Sequence, residues 1–196
     1  MALITNQITA RNFELIRDKI GVILALELAA QTYTADLKAI WGERKVPFTP
    51  VELSCVNISY GGTNFDNANT SYKRGTNIYY IDVYVSEPST NSAQGDVLGA
   101  LKAERIAGII DYILSSPYYQ TLGFAPGFIA HTIVESISMS GMTSQDAYEN
   151  IGARLQFQVV AGEDTAQIAP TDVAGIDTEV NIEETDFGHL YTINNN

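Results

Sequence analysis

The stretch from Ile151 to Val159 limits the fold more than any other part of the chain. Ile151, Ala153, Leu155, Phe157 and Val159 alternate with Gly152, Arg154, Gln156 and Gln158. Successive side chains of a strand point to opposite faces, so this period of two predicts a strand with one apolar and one wet face. An apolar sheet face must be covered, and two helical patterns offer the cover. The first runs from about Thr9 to Gln31, with Phe13, Ile16, Ile20, Ile23, Leu24 and Leu28 at three- and four-residue spacing and Arg11, Glu14, Arg17, Asp18 and Lys19 on the polar side. The second runs from about Asp96 to Leu114, opened by Gly95-Asp96 and closed before Ser115-Ser116-Pro117. Its apolar side is read as Val97, Leu98, Leu101, Ile109, Ile110, Ile113 and Leu114, with Gly99, Ala103, Ala107 and Gly108 as small surfaces for close approach.

Three further strands are expected. Asn77 to Ser86 sets Ile81, Val83 and Val85 opposite Tyr80, Asp82 and Tyr84, while Val51 to Tyr60 and Phe128 to Ser140 alternate less cleanly. Between the strands at 51–60 and 77–86, Gly61 to Thr76 is dense in turn-forming residues and reads as a long loop, either a binding arm or a disordered connection. Its Lys73-Arg74 pair, matched only by Arg44-Lys45, marks it as an assembly arm. The fold expected is α+β, a mixed and mostly antiparallel sheet packed by two helices, occupying residues 1–161. An acidic C-terminal extension follows over 162–196.

Charge is distributed unevenly. The chain of 196 residues carries 11 Lys+Arg against 23 Asp+Glu, a net charge of −12. Every basic residue lies at or before Arg154, and residues 155–196 hold only acids: Glu163, Asp164, Asp172, Asp177, Glu179, Glu183, Glu184 and Asp186. Such a balance disfavours non-specific attraction to phosphate backbones or anionic membranes. Within the extension, Ile176, Thr178, Val180 and Ile182 alternate with Asp177, Glu179, Asn181 and Glu183, consistent with a strand of acidic outer face that adds to the edge of a sheet. The longest apolar run, Gly21 to Ala30, is broken by Glu27 and falls short of the ~20 residues of a spanning helix. Met1 to Ile8 has no basic cluster before an apolar stretch, so no signal peptide is expected.

The chemistry-bearing residues do not converge. Ser138-Met139-Ser140-Gly141 lacks the first glycine of a nucleophile elbow, and both phosphate-cradling glycine motifs are absent. His131 falls in an expected strand, where a structural role is the simpler reading, and His189 falls in the acidic extension. Glu183 and Glu184 are adjacent, so on a strand they face opposite ways and cannot share a proton. Asp172, Asp177 and Glu179 lack calcium-loop spacing. The lone cysteine, Cys55, sits in an apolar strand between Leu53 and Val56 and reads as a small buried residue; by itself it forms neither an internal disulfide nor a zinc cluster. Asn57-Ile58-Ser59 and Asn69-Thr70-Ser71 fit the glycosylation pattern, which carries no weight without a secretory signal. No catalytic, cofactor-binding or metal-binding residue is therefore assigned, and the class expected is a non-enzymatic protein that assembles.

The arrangement resembles the tail terminator, or tail completion, proteins of tailed bacteriophages and related contractile injection machines. The resemblance rests on Asn12-Phe13-Glu14-Leu15-Ile16-Arg17-Asp18-Lys19-Ile20, on Pro50-Val51-Glu52-Leu53-Ser54-Cys55-Val56-Asn57-Ile58, on Tyr79-Tyr80-Ile81-Asp82-Val83-Tyr84-Val85, on the helix from Leu101 to Leu114, and on Gly152-Ala153-Arg154-Leu155-Gln156-Phe157-Gln158-Val159. It covers roughly residues 9–161 and leaves the acidic extension unmatched. What it implies is a virion protein, assembled in the host cytoplasm, that forms a homo-oligomeric ring, commonly a hexamer. Such a ring caps the tail tube, ends its polymerisation and offers a platform to neck or head-completion proteins. Its partners would be further copies of itself, tail tube and sheath subunits, and double-stranded DNA passing through without specific binding; no membrane and no cofactor are implied. A tube subunit, a head-tail adaptor, and a small cytoplasmic enzyme or ligand-binding domain are the alternatives.

Overall fold

The computed structural model describes residues 10–34, 37–45, 54–66, 72–88, 95–141, 151–164, 178–185 and 188–195. The larger of its two compact units spans Thr9–Thr165. It opens with helix α1 (Asn12–Ala29), followed by strands β1 (Leu37–Gly42), β2 (Ser54–Phe65) and β3 (Tyr72–Val85). Helix α2 (Gly95–Leu114) leads to β4 (Ile129–Gly141) and β5 (Ile151–Asp164). The five strands form one sheet in the order β1-β2-β3-β5-β4, with β1 parallel to β2 and every other pairing antiparallel. The unit is α+β, as the alternation requires.

One face of the sheet is the core. Val56 and Ile58 of β2, Tyr79, Ile81, Val83 and Val85 of β3, and Ala153, Leu155, Phe157 and Val159 of β5 are all buried there. Ile16, Ile20, Ile23, Leu24 and Leu28 of α1 and Ala103, Ile106, Ala107, Ile110, Ile113 and Leu114 of α2 close over them. Each fully buried large aliphatic or aromatic side chain contributes about 1.5–3 kcal/mol of transfer free energy. Two polar ties anchor α1 to the sheet: Asn12 Nδ2 donates to the Gly162 carbonyl at 2.6 Å, and the buried Tyr79 hydroxyl donates to the Phe13 carbonyl at 2.9 Å. At the start of α1 the Arg11 N–H donates to Glu14 Oε2 at 2.7 Å, satisfying a donor that the helix itself cannot.

The structure corrects several expectations. Gly61 to Thr76 is mostly not a loop: Gly62↔Ile78, Thr63↔Asn77, Asn64↔Thr76 and Phe65↔Gly75 continue the β2–β3 ladder, and Tyr72↔Asp164 to Thr76↔Val160 extend the pairing onto β5. The turn-forming glycines here serve ladder geometry. Gly62 has φ +129° at an irregularity after Tyr60, and a Cβ on Gly75 would lie 2.7 Å from Thr63 Cγ2 and 3.0 Å from the Asn64 carbonyl oxygen. Residues 67–71, including the Asn69-Thr70-Ser71 sequon, lie outside the described residues. Strand β1 was not anticipated. In α2, Val97 and Leu101 are exposed, and Gly108 faces open space; Gly99, Ala103 and Ala107 are the small residues that lie buried.

In the second unit, β6 (Thr178–Thr185) and β7 (Gly188–Asn195) form an antiparallel hairpin, in a two-stranded sheet of its own. The alternating segment is thus a strand from Thr178 onward, paired with β7. His189 lies opposite Glu184 in that ladder. Asp172 and residues 176–177 lie outside the described residues.

Because Gly75 admits no Cβ without displacing the facing strand, Gly75→Ala is expected to destabilise the protein by about 1–3 kcal/mol, read as a lower midpoint in urea denaturation. Gly108→Ala, in open space on a helix, is expected to be neutral or stabilising by up to about 1 kcal/mol. An unchanged midpoint for Gly75→Ala would contradict the tight β2–β3 approach.

Candidate assembly surfaces

The sheet face opposite the helices is polar and ordered by cross-strand pairs. Asn57, Asp82, Arg154 and Ser138 stand in register across β2, β3, β5 and β4. Arg154 Nε donates to Asp82 Oδ1 at 2.6 Å and Nη2 to Oδ2 at 2.9 Å, a bidentate fork, with its guanidinium 5.0 Å from the centre of the Tyr80 ring. The Asp82 side chain is only 10% exposed, whereas that of Arg154 is 54% exposed. The hydrogen bond to Asp82 is the main reason the guanidinium is held above its usual pKa, against a smaller opposing effect of burial. Burial, followed by the Asp82 charge, raises the Tyr84 phenol above its ordinary 10.0. On the same face Gln156 and Gln158 both donate to Glu135 Oε2 of β4.

The turn after β1 is held by a carboxylate. Glu43 adopts φ 57°, uncommon for a residue with a side chain, and is fixed there by its N–H donating to the Ile58 carbonyl at 2.8 Å and by Tyr60 N–H donating to Glu43 Oε1 at 2.5 Å. Lys45 Nζ lies 2.9 Å from Glu43 Oε2, and Arg17 lies 3.9 Å from Oε1. Burial pushes the Glu43 carboxyl up, but the Lys45 and Tyr60 hydrogen bonds and the Lys45 and Arg17 charges together hold it below 4.5. The next residue is clamped to the sheet: Arg44 N–H donates to Asn57 Oδ1 at 3.1 Å and Asn57 Nδ2 returns a bond to the Arg44 carbonyl at 3.2 Å. The Arg44 guanidinium sits 5.0 Å above the Trp41 ring.

Two edges bound the sheet, and among the described residues no further strand pairs with either. The β4 edge carries neither Lys nor Pro, and Glu135 is its single Asp or Glu. Its Ile133, Ile137 and Met139 are 51%, 46% and 47% exposed, an unusual concentration for an edge strand. Ile137 and Met139 line a groove of about 560 Å³ with Leu101, Glu104, Arg105 and Gly108 of α2. A second groove, of about 500 Å³, lies between the helix ends and includes Glu27, Arg105, Tyr112, Tyr118 and Tyr119. There the Tyr119 hydroxyl donates to Glu27 Oε1, which pushes the phenol up to about 12.

Several residues singled out in the sequence can now be placed. Cys55 is buried, as expected from its apolar strand. His131 is exposed on the β4 edge, which leaves it no core role. Lys73 and Arg74 stand on β3, paired with Glu163 and Gly162, with Lys73 Nζ 5.4 Å from the Phe65 ring centre. They decorate a ladder and not a free arm. Among the described residues no three His, Cys, Asp or Glu side chains are grouped as metal ligands, and no helix is long and apolar enough to cross a membrane. Trp41 and Arg44 were missed as a unit. The short stretch Leu37 to Trp41, apolar apart from Lys38 and bounded by Asp36 and Gly42, was the available signal, but it is too brief to show a period.

Arg154→Ala is expected to lower stability by about 1–3 kcal/mol in urea titration, since it strands the nearly buried Asp82 carboxylate, with the exposure of the arginine keeping the loss at the modest end. Arg154→Lys, unable to form the fork, should recover only part. For Glu43 the folded pKa lies below the unfolded one, so its stabilisation is fully present above the unfolded value and lost as pH falls through the folded one. Glu43→Gln should therefore melt at lower temperature than the unmodified protein at pH 7, with the difference shrinking below about pH 4.5. A difference independent of pH would contradict the ion-pair account.

No family model and no curated relative matches the chain. Several solved structures align with the chain, one of them at 20% identity over 74% of this chain and 94% of its own, with a TM-score of 0.42.

Proposed function

We propose that the chain is a self-assembling structural subunit, a virion protein that closes into a ring on the end of a phage tail tube. The observation that carries this reading is the β4 edge: a long strand that no further strand among the described residues covers, with three exposed apolar side chains and neither lysine nor proline. A patch of that kind is satisfied by another strand. The sequence resemblance supplies the ring and the tail, with neck or head-completion proteins, tube and sheath subunits as neighbours in the virion. The net charge of −12 suits a channel that DNA traverses without being held, because every immobilised cation contact would add salt-dependent affinity.

Solution mass by light scattering, with electron micrographs of the same sample, tests the reading. Closed rings of about six copies, set by the family resemblance and the closed symmetry of heterologous contacts, are the expected result. Long hollow cylinders would point to a tube subunit instead. A monomer of 21.4 kDa at every concentration, with and without tail tubes, would overturn the proposal.

A further inference from the structure

We propose that the occupant of the β4 edge is the β1 edge of a second copy, joined as an antiparallel ladder that continues the sheet from one subunit to the next. This rests on the self-assembly reading and names the partner surface within it.

Direction comes first. β1 runs parallel to β2, and each of the following neighbours reverses, so β1 and β4 run in opposite directions at the two ends of the sheet. A second copy in the same orientation, set edge to edge, therefore presents β1 antiparallel to β4. This pairing is slightly the more stable of the two per residue. It is also heterologous, and it uses both edges of every copy, whereas β4 against β4 would leave each β1 unpaired.

The side chains on the two edges then match in both polarity and apolar character. Trp41 is in register with Asn57, which places it on the polar face, and Arg44 stacks over it. On the other edge Ile133 is in register with Gln158, and Glu135 accepts from Gln156 and Gln158, so both belong to that same face. Trp41, 43% exposed, and Ile133, 51% exposed, thus stand on the same face of the two edges, and the Arg44 guanidinium, folded back over the Trp41 ring, brings a positive charge to the face on which Glu135 carries a negative one. The β1 strand with its turn, Leu37 to Lys45, holds Lys38, Arg44 and Lys45 against Glu43, a positive segment in an acidic chain, while Ile129 to Gly141 holds Glu135 as its one formal charge. On the helix side, Ile40 is in register with Val56, and the facing groove carries Ile137 and Met139. A β4–β4 contact would instead bring the two Glu135 carboxylates toward each other, which like-charge repulsion opposes.

The test is charge reversal read by sedimentation over a concentration series, with circular dichroism on every variant. Arg44→Glu alone and Glu135→Arg alone are each expected to weaken association at least about tenfold, and the double variant to recover most of it, as close charge pairs at interfaces do. Trp41→Ser and Ile133→Ser, both at exposed positions, should each weaken association in the same way and serve if a reversal disturbs the fold. Three outcomes would overturn the inference while leaving self-assembly standing: unchanged association in all four single variants, weakening by Glu135→Arg with none by Arg44→Glu, or a double variant no better than the singles. An unmodified protein that never associates would instead refute the self-assembly reading beneath it.

Discussion

The larger unit depends on one continuous apolar sheet face. Leu155 and Phe157 of β5 stand next to Ile81 and Tyr79 of β3 in register, all fully buried, and the two helices have no other surface on which to bury Ile16, Ile20, Leu24, Ile106 and Ile110. The face is built by the central strands, so the less regular β2 and β4 are held by pairing to them more than by their own pattern. The polar ties from Asn12 and Tyr79 to backbone carbonyls act at its margin, setting where α1 begins on the sheet.

The opposite face has a different logic. Asp82 is nearly buried there because Arg154, Tyr80 and the residues around β2 cover it, and a carboxylate in that position is tolerated only when its charge and lone pairs are satisfied. Asn57 does comparable service for the backbone of Arg44, pairing with both its N–H and its carbonyl. These contacts turn the segment after β1 into a fixed feature of the edge, with Trp41 and Arg44 displayed together. A rigid aromatic-arginine pair loses little entropy on contact, which suits it to an interface.

The edges connect this architecture to assembly. The outermost strand β4 is long, carries one glutamate and no lysine or proline, and exposes Ile133, Ile137 and Met139, while its two register irregularities bend it locally. The groove between that strand and α2 extends the same apolar surface onto the helix layer, through Leu101 and Gly108.

The alternation in Ile151 to Val159 and the helical spacing in Ile16 to Leu28 determined by themselves that an apolar sheet face would be covered by helices, because side-chain period is a local property of backbone geometry. Cys55 was legible as buried for the same reason. Only the tertiary structure decided what depends on residues far apart in the chain. Asp82 and Arg154 meet across 72 positions, so neither strand's own pattern announces the pair. The glycines from Gly61 to Gly75 suggest turns when read locally, yet the neighbouring strands draw them into a ladder in which Gly75 is needed for closeness. Val97 and Leu101 fit the apolar period of α2, yet both are exposed, and Leu101 lies at the open groove beside β4 and not in the core. β1 is too short to carry a period and exists because β2 offers it an edge, which is how Trp41 and Arg44 come to lie at the edge of the sheet.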